Sequence, residues 1–229
     1  MNPLVSVAIT KVAKVLNPGE GLLRWANSVG LEGKTLEQAR GSGRSSGSSV
    51  HQVMEALAGR RAMPRKGELS AAARPYAVEL YRWWTGNDVQ AHSVEVEVAS
   101  QVHRFHGRMD YARWCRTPGC HCFGEGVVLG DVKTGASSPF PEHLVQLTGY
   151  RVAWPESGYD PRHVCGTEVL CLPKGGEPAV AYPNTLPDAA FLHALALWRF
   201  VDAQRDGREM DDDEAALVSS FAGARSVLT

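Results

Sequence analysis

The run Gly126-Val-Val-Leu-Gly-Asp-Val-Lys133 constrains this chain more than any other, because an apolar strand ends there in an acid and a base two residues apart. Alternate side chains of a strand leave on opposite faces, so Asp131 and Lys133 project from the same side of the sheet that this strand joins. Charged groups at the end of a buried strand are costly unless they are paired or open onto a solvated cleft. A divalent cation is a fitting compensator, since hard cations such as Mg2+ take oxygen ligands and commonly use one or two carboxylates.

Two more strands precede this one. In Ser93–Ala99 the residues Val94, Val96 and Val98 alternate with Glu95 and Glu97, the period-2 pattern of a half-buried strand that leaves both carboxylates on one face. Phe105–Tyr111 carries Gly107-Arg-Met-Asp110, with Arg108 and Asp110 opposite Phe105 and Met109. Asp110 and Asp131 could then supply cation ligands, while Lys133 neutralises charge on a phosphate or steadies an attacking water. Past Lys133, Thr134-Gly135 turns the chain, Ser137 or Ser138 suits a helix cap, and Pro141 suits a first turn. Gln146 and Tyr150, four apart, share a face of that helix.

Together, Glu95, Gly107-Arg-Met-Asp110, Asp131-Val-Lys133-Thr-Gly135 and Gln146-Leu-Thr-Gly-Tyr150 resemble the PD-(D/E)XK nuclease superfamily. The resemblance is to its RecB-type exonuclease branch, which includes exonuclease-like phage proteins and nucleases associated with CRISPR adaptation. It implies an α/β, restriction-endonuclease-like core: a mixed central β-sheet flanked by helices, with a helical N-terminal part. It also implies a Mg2+- or Mn2+-dependent deoxyribonuclease of phage or bacterial recombination, repair or replication, with DNA as substrate and a recombination or helicase protein as possible partner.

Residue by residue, Gly47-Ser-Ser-Val-His51 matches the Gly-x-x-x-His element of that branch, although a His beside an apolar helical stripe is by itself an ordinary packing residue. The match implies that His51, Asp110 and Asp131, with the carbonyl of Val132, hold the metal, and that Lys133 positions or helps deprotonate the attacking water. Glu95 would orient that water or bind a second ion, with Glu97 as a substitute. Gln146 and Tyr150 would contact DNA or buttress Lys133, and Arg108 would contact phosphate or pair with Glu95. The competing expectations are a non-catalytic nucleic-acid-binding module on the same scaffold, and a structure-specific endonuclease.

At 229 residues the chain suits one domain, read as a mainly helical part (1–90), the catalytic sheet and helix (91–183) and C-terminal helices (184–229). The net charge of −1 makes no global claim on nucleic acid. Two local clusters, Arg60/Arg61/Arg65/Lys66 and Arg104/Arg108/Arg113/Arg116, could form a basic strip or simply a solvated surface. With no apolar run of about 18 residues and no basic-then-apolar start, the expectation is a cytoplasmic protein of a bacterium or phage-infected cell, off the membrane.

Five cysteines without a secretion signal argue for thiols rather than disulfides. Cys115, Cys120 and Cys122, with His121 among them, fall in the loop between two motif strands; they could bind Zn2+, completed by Cys165, Cys171 or His121, or remain reduced. Some relatives in the resembled family hold an iron-sulfur cluster through one upstream and three downstream cysteines. This layout differs, so no such cluster is expected.

Elsewhere the spacing predicts helices over Val5–Leu16, Leu22–Val29, Ala71–Trp84 and Pro187–Gln204, and strands over His163–Leu172 and Ala179–Tyr182. The Gly/Ser tract Gly41–Ser49 reads as a small-residue entry to a buried helix carrying Val50, Met54 and Leu57. Trp83 and Trp84 read as core or as base-stacking platforms. Asp211 begins either a last helix to Val227 or an acidic tail.

Overall fold

A computed structural model describes residues 6–16, 20–65, 67–116, 120, 122, 125–158 and 164–222. In chain order the elements are β1 (Val7–Ala8), α1 (Ile9–Ala13) with a 3-10 turn to Leu16, α2 (Glu20–Leu31), α3 (Leu36–Leu57), α4 (Arg74–Gly86), β2 (Ala91–Ser100), β3 (Phe105–Trp114), β4 (Val127–Thr134), α5 (Pro141–Ala153), a 3-10 turn (Pro155–Ser157), β5 (Val164–Leu172), β6 (Val180–Asn184), α6 (Asp188–Asp206) and α7 (Asp212–Ala222).

The six strands form one mixed sheet. β2, β3 and β4 run as an antiparallel meander, and α5 then crosses over so that β5 lies parallel to β4, with β6 antiparallel at the far edge. One core cluster packs Ile9, Leu147, Tyr150, Phe191 and Leu195 against Phe105, Met109, Leu129 and Val169. The other packs Val50, Met54, Leu80 and Trp84 against Val94, Tyr111, Val132 and Leu170. Helices therefore cover both faces, α1, α5 and α6 on one and α3 and α4 on the other, giving the expected mixed α/β sheet flanked by helices.

A strand has two edges. β2 takes one edge of β3 along its whole length, from Ala91↔Arg113 to Ser100↔Phe105. The other edge is shared: β4 pairs only with Tyr111–Trp114, and β1 pairs in parallel with Phe105 and His106. Between those two partners, residues 107–110 face a gap in the sheet, and Arg108 and Asp110 lie in it.

The local structure departs from expectation at several points. Val5–Leu16 is not one helix: Val7 N–H donates to Arg104 O at 3.1 Å, drawing this segment into the sheet before α1 begins; Val5 itself lies outside the described residues. The Gly/Ser tract is not an entry but the middle of α3. That helix starts from a capping box in which Thr35 and Gln38 satisfy each other's backbone N–H groups, and the buried stripe Val50, Val53, Met54 then anchors its second half. Neither Ser137 nor Ser138 caps α5, whose first turn is instead held by Phe140 N–H donating to His143 Nδ1 at 3.2 Å.

The helix after Ala71 begins at Arg74, with Pro75 in its first turn. Trp84 is buried, and its ring and that of Trp83 each lie 6.2 Å from the Tyr111 ring, as core aromatics do. The acidic run Asp212, Asp213, Glu214 opens α7, where negative side chains favour a helix start. Residues 159–163 and 223–229 of the predicted strand, turn and last helix lie outside the described residues.

Candidate metal centre and active site

The period-2 pattern of β2 is interrupted at its most chemical residue. Val94 packs in the α3/α4 cluster, whereas Val96 and Val98 pack in the α1/α5/α6 cluster, so the three valines do not share one face as their spacing predicts. Glu95, between them, has φ +53°, a conformation uncommon for a residue with a Cβ. That twist directs its carboxylate to α3, where Glu95 Oε1 stands 2.5 Å from His51 Nδ1. Its other oxygen, Oε2, is 3.4 Å from Arg108 Nη1.

His51 Nδ1 is also 3.8 Å from Asp110 Oδ1. The donor atoms of His51, Glu95 and Asp110 all lie within 4.8 Å of one another. The Glu95 hydrogen bond, helped by the Asp110 charge, outweighs burial and lifts the His51 imidazole to about 9. The same hydrogen bond holds Glu95 below the usual carboxylate range. Burial, reinforced by the Asp131 charge, pushes the Asp110 carboxyl up to about 7. Such opposed shifts within one pocket mark a strongly interacting set of charges.

Asp131 and Lys133 reach the gap from the other face of the sheet, on the side of α5. Lys133 Nζ is 2.7 Å from Asp131 Oδ2. Gln146 ties the pair to the helix: its Oε1 accepts from Lys133 Nζ at 3.2 Å, and its Nε2 donates to Asp131 Oδ1 at 3.0 Å and to Tyr150 OH at 2.6 Å. Burial acts to lower the Lys133 ammonium, but the Asp131 and Asp110 carboxylates together outweigh it and raise its pKa. Asp131 Oδ2 is buried, and the Lys133 ammonium beside it compensates its charge.

The compact trio thus contains Glu95 where the sequence suggested Asp131. The physical reason is the gap itself: Asp131 belongs to the α5 face and is engaged by Lys133 and Gln146, while the kink at Glu95 brings that carboxylate to the α3 face. Asp131 stays near enough for its charge to act on both Asp110 and His51. Val132 meets Asp110 through its amide, whose N–H donates to Asp110 Oδ2 at 2.6 Å. Gln146 is buried and Tyr150 is 1 % exposed, so both lie beneath Lys133 rather than at the surface. Gly107 is required here, since a Cβ would stand 2.8 Å from the Tyr150 ring and 3.0 Å from Ile9 Cδ1.

Arg108 is exposed at the mouth of the gap, beside a cavity that Glu97, His106 and Tyr150 also line. Glu97 is exposed and stands outside the trio. The expected basic strip is largely neutralised: Arg104 pairs with Asp211 and Asp213, Arg113 with Glu168, Arg116 with Asp88 and Arg61 with Glu55.

One supporting cluster escaped the sequence. Glu168 on β5 accepts from Tyr111 OH at 2.8 Å and from Arg113 through two bonds of 2.7 and 2.8 Å. It clamps β3 to β5 across β4, where Gly130 leaves room for the Tyr111 ring: a Cβ there would lie 2.0 Å from it. The Tyr111-Ala-Arg113 order gave no hint of this, because the partner lies far along the chain.

No protein-family model matches the chain, and no curated protein matches it. Among solved structures it is similar to LHK-Exo, in a crystal structure of that protein in complex with dAMP: 97% of this chain and 94% of that chain are covered, at 11% sequence identity and a TM-score of 0.42.

Proposed function

We infer that the chain is a divalent-cation-dependent deoxyribonuclease that hydrolyses phosphodiester bonds from the ends of DNA. The observation that carries this reading is the meeting, at one gap in the sheet, of the His51–Glu95–Asp110 donor set with the Lys133–Asp131 pair. The donors fit a hard cation: one imidazole and carboxylate oxygens within 4.8 Å, with the buried Asp131 carboxylate, paired with Lys133 at 2.7 Å, beside them. His51, Glu95 and Asp110 would hold Mg2+ or Mn2+, with Asp131 and the Val132 carbonyl as further oxygen donors from β4. When bound, such an ion polarises the scissile phosphate and assists deprotonation of the attacking water.

The remaining work falls to the chain. Lys133, with three donors and no acceptor, offers its charge to a phosphate oxygen and orients the attacking water. Gln146 and Tyr150 hold the ammonium in place from below and are positioning residues. Arg108, exposed and held by Glu95 only at 3.4 Å, is free to turn onto a backbone phosphate.

The test offers linear end-labelled DNA, single- and double-stranded, and closed circles, with Mg2+ or Mn2+. End-dependent loss that stops with EDTA, returns with excess Mg2+ and is absent in a folded Lys133→Ala variant supports the reading. Cutting of closed circles would make the protein an endonuclease, and metal-independent binding without cleavage would make it a binding module.

A further inference from the structure

Four of the five cysteines meet far from the acidic centre. Cys115 follows the last residue of β3, five residues along from Asp110 and so roughly 16 Å away at strand rise. Cys120 and Cys122 lie in the loop to β4, and Cys165 is the second residue of β5. Their four Sγ atoms all lie within 4.8 Å of one another.

The backbone is shaped to allow this. Cys115 is buried, and its N–H donates to Gly126 O at 2.7 Å, closing the base of the loop. A Cβ on Gly126 would stand 2.0 Å from Cys165 Sγ and 2.5 Å from Cys122 Cβ, so the sulfurs close over a position that only glycine leaves open.

Four neutral thiols gain little from such proximity, because S–H is a weak donor and sulfur a weak acceptor. Thiolates sharing one Zn2+ at about 2.3 Å stand about 3.8 Å apart around a tetrahedron, within the observed span. A four-iron cluster places each thiolate on a different iron and spreads them more widely than ligands of a single ion.

We propose that Cys115, Cys120, Cys122 and Cys165 form a structural Zn2+ site, each thiol releasing its proton to solvent as its sulfur binds. Four protein ligands leave no open position for a substrate, which separates this centre from the nitrogen and oxygen donors of the acidic one. The ion ties the β3–β4 loop to the start of β5 and so pins three strands at one end of the sheet. Of the other expected ligands, Cys171 is buried among the second half of β5, where its thiol feels Asp131 and Lys133, and His121 lies outside the described residues.

Elemental analysis of the full chain, purified without chelator, should find about one zinc per molecule. After exchange with Co2+ the protein should show thiolate-to-cobalt charge transfer and tetrahedral ligand-field bands. Cys165→Ser should lose zinc at least about tenfold at equal protein, with Cys171→Ser retaining it. If Cys165→Ser does not fold, titrating the wild-type protein with an organomercurial should release zinc in step with four thiols. Absence of zinc, iron in its place, a disulfide within the group, or undiminished zinc in folded Cys165→Ser would overturn the assignment. Zinc content is read without any cleavage assay, so this proposal and the nuclease reading fail independently.

Discussion

The main-chain N–H of Val132 donates to the Asp110 side chain at 2.6 Å, so a carboxylate stands where a neighbouring strand would otherwise continue the ladder. β3 and β4 stop pairing at Tyr111↔Gly130, and Asp110 is the next residue along. One side chain thereby closes a break in the sheet while presenting its second oxygen to His51.

That double duty separates two substitutions. Asp110→Asn keeps an acceptor for Val132 and removes a buried charge that both desolvation and Asp131 oppose. At pH 8, metal-free Asp110→Asn should melt no lower than the wild type, yet lose its stabilisation by Mn2+ and at least about 100-fold in cleavage. Asp110→Ala, which orphans the Val132 N–H, should cost about 1–3 kcal/mol. Melting curves with and without Mn2+ decide this; equal destabilisation by Asn and Ala would contradict it.

Glu168 is 7 % exposed and holds both Tyr111 and Arg113. Glu168→Ala leaves a guanidinium and a phenol without their shared acceptor, and denaturant unfolding should show a loss of about 3–5 kcal/mol. A loss under about 1 kcal/mol would mean that water replaces the carboxylate.

Glycines in α3 and β4 should respond in opposite directions. Nothing lies within 4 Å of a Cβ built on Gly41, whereas one built on Gly130 lies 2.0 Å from the fully buried Tyr111 ring. Gly41→Ala should raise stability by about 0.5–1 kcal/mol through helix propensity. Gly130→Ala should lower it by about 3 kcal/mol or prevent folding, because neither strand can yield without breaking the Tyr111–Glu168 bond. Thermal melts of the two variants side by side test the pair.

His143 supplies the pH-dependent case. Burial, then the Lys133 charge, depress its imidazole to about 4, and its Nδ1 accepts from Phe140 N–H, which requires the neutral ring. The folded pKa lies below the unfolded value of about 6.5, so between those values the unfolded chain binds more protons. Stability from this group is complete above pH 6.5 and is lost as pH falls towards 4, on the order of 1–2 kcal/mol after allowance for partial solvent access. His143→Gln keeps an acceptor in the first turn and removes the titration. Unfolding free energies of both proteins from pH 4 to 7.5 should therefore converge at the acid end, and parallel curves would refute the assignment.

Local pattern carried a large part of this structure. Alternation from Phe105 to Met109 and along β4, the apolar spacing after the Gly/Ser tract and the four-residue step from Gln146 to Tyr150 each follow from strand or helix geometry, which neighbouring residues impose on one another. Those patterns place Asp110, Asp131, Lys133 and His51 on definite elements. Tertiary structure decided which of them meet. The left-handed backbone at Glu95, the shared edge of β3 and the selection of Cys165 over Cys171 all depend on contacts between segments distant in the chain. A period of two or 3.6 says which way a side chain leaves its own element; it carries no information about what stands opposite.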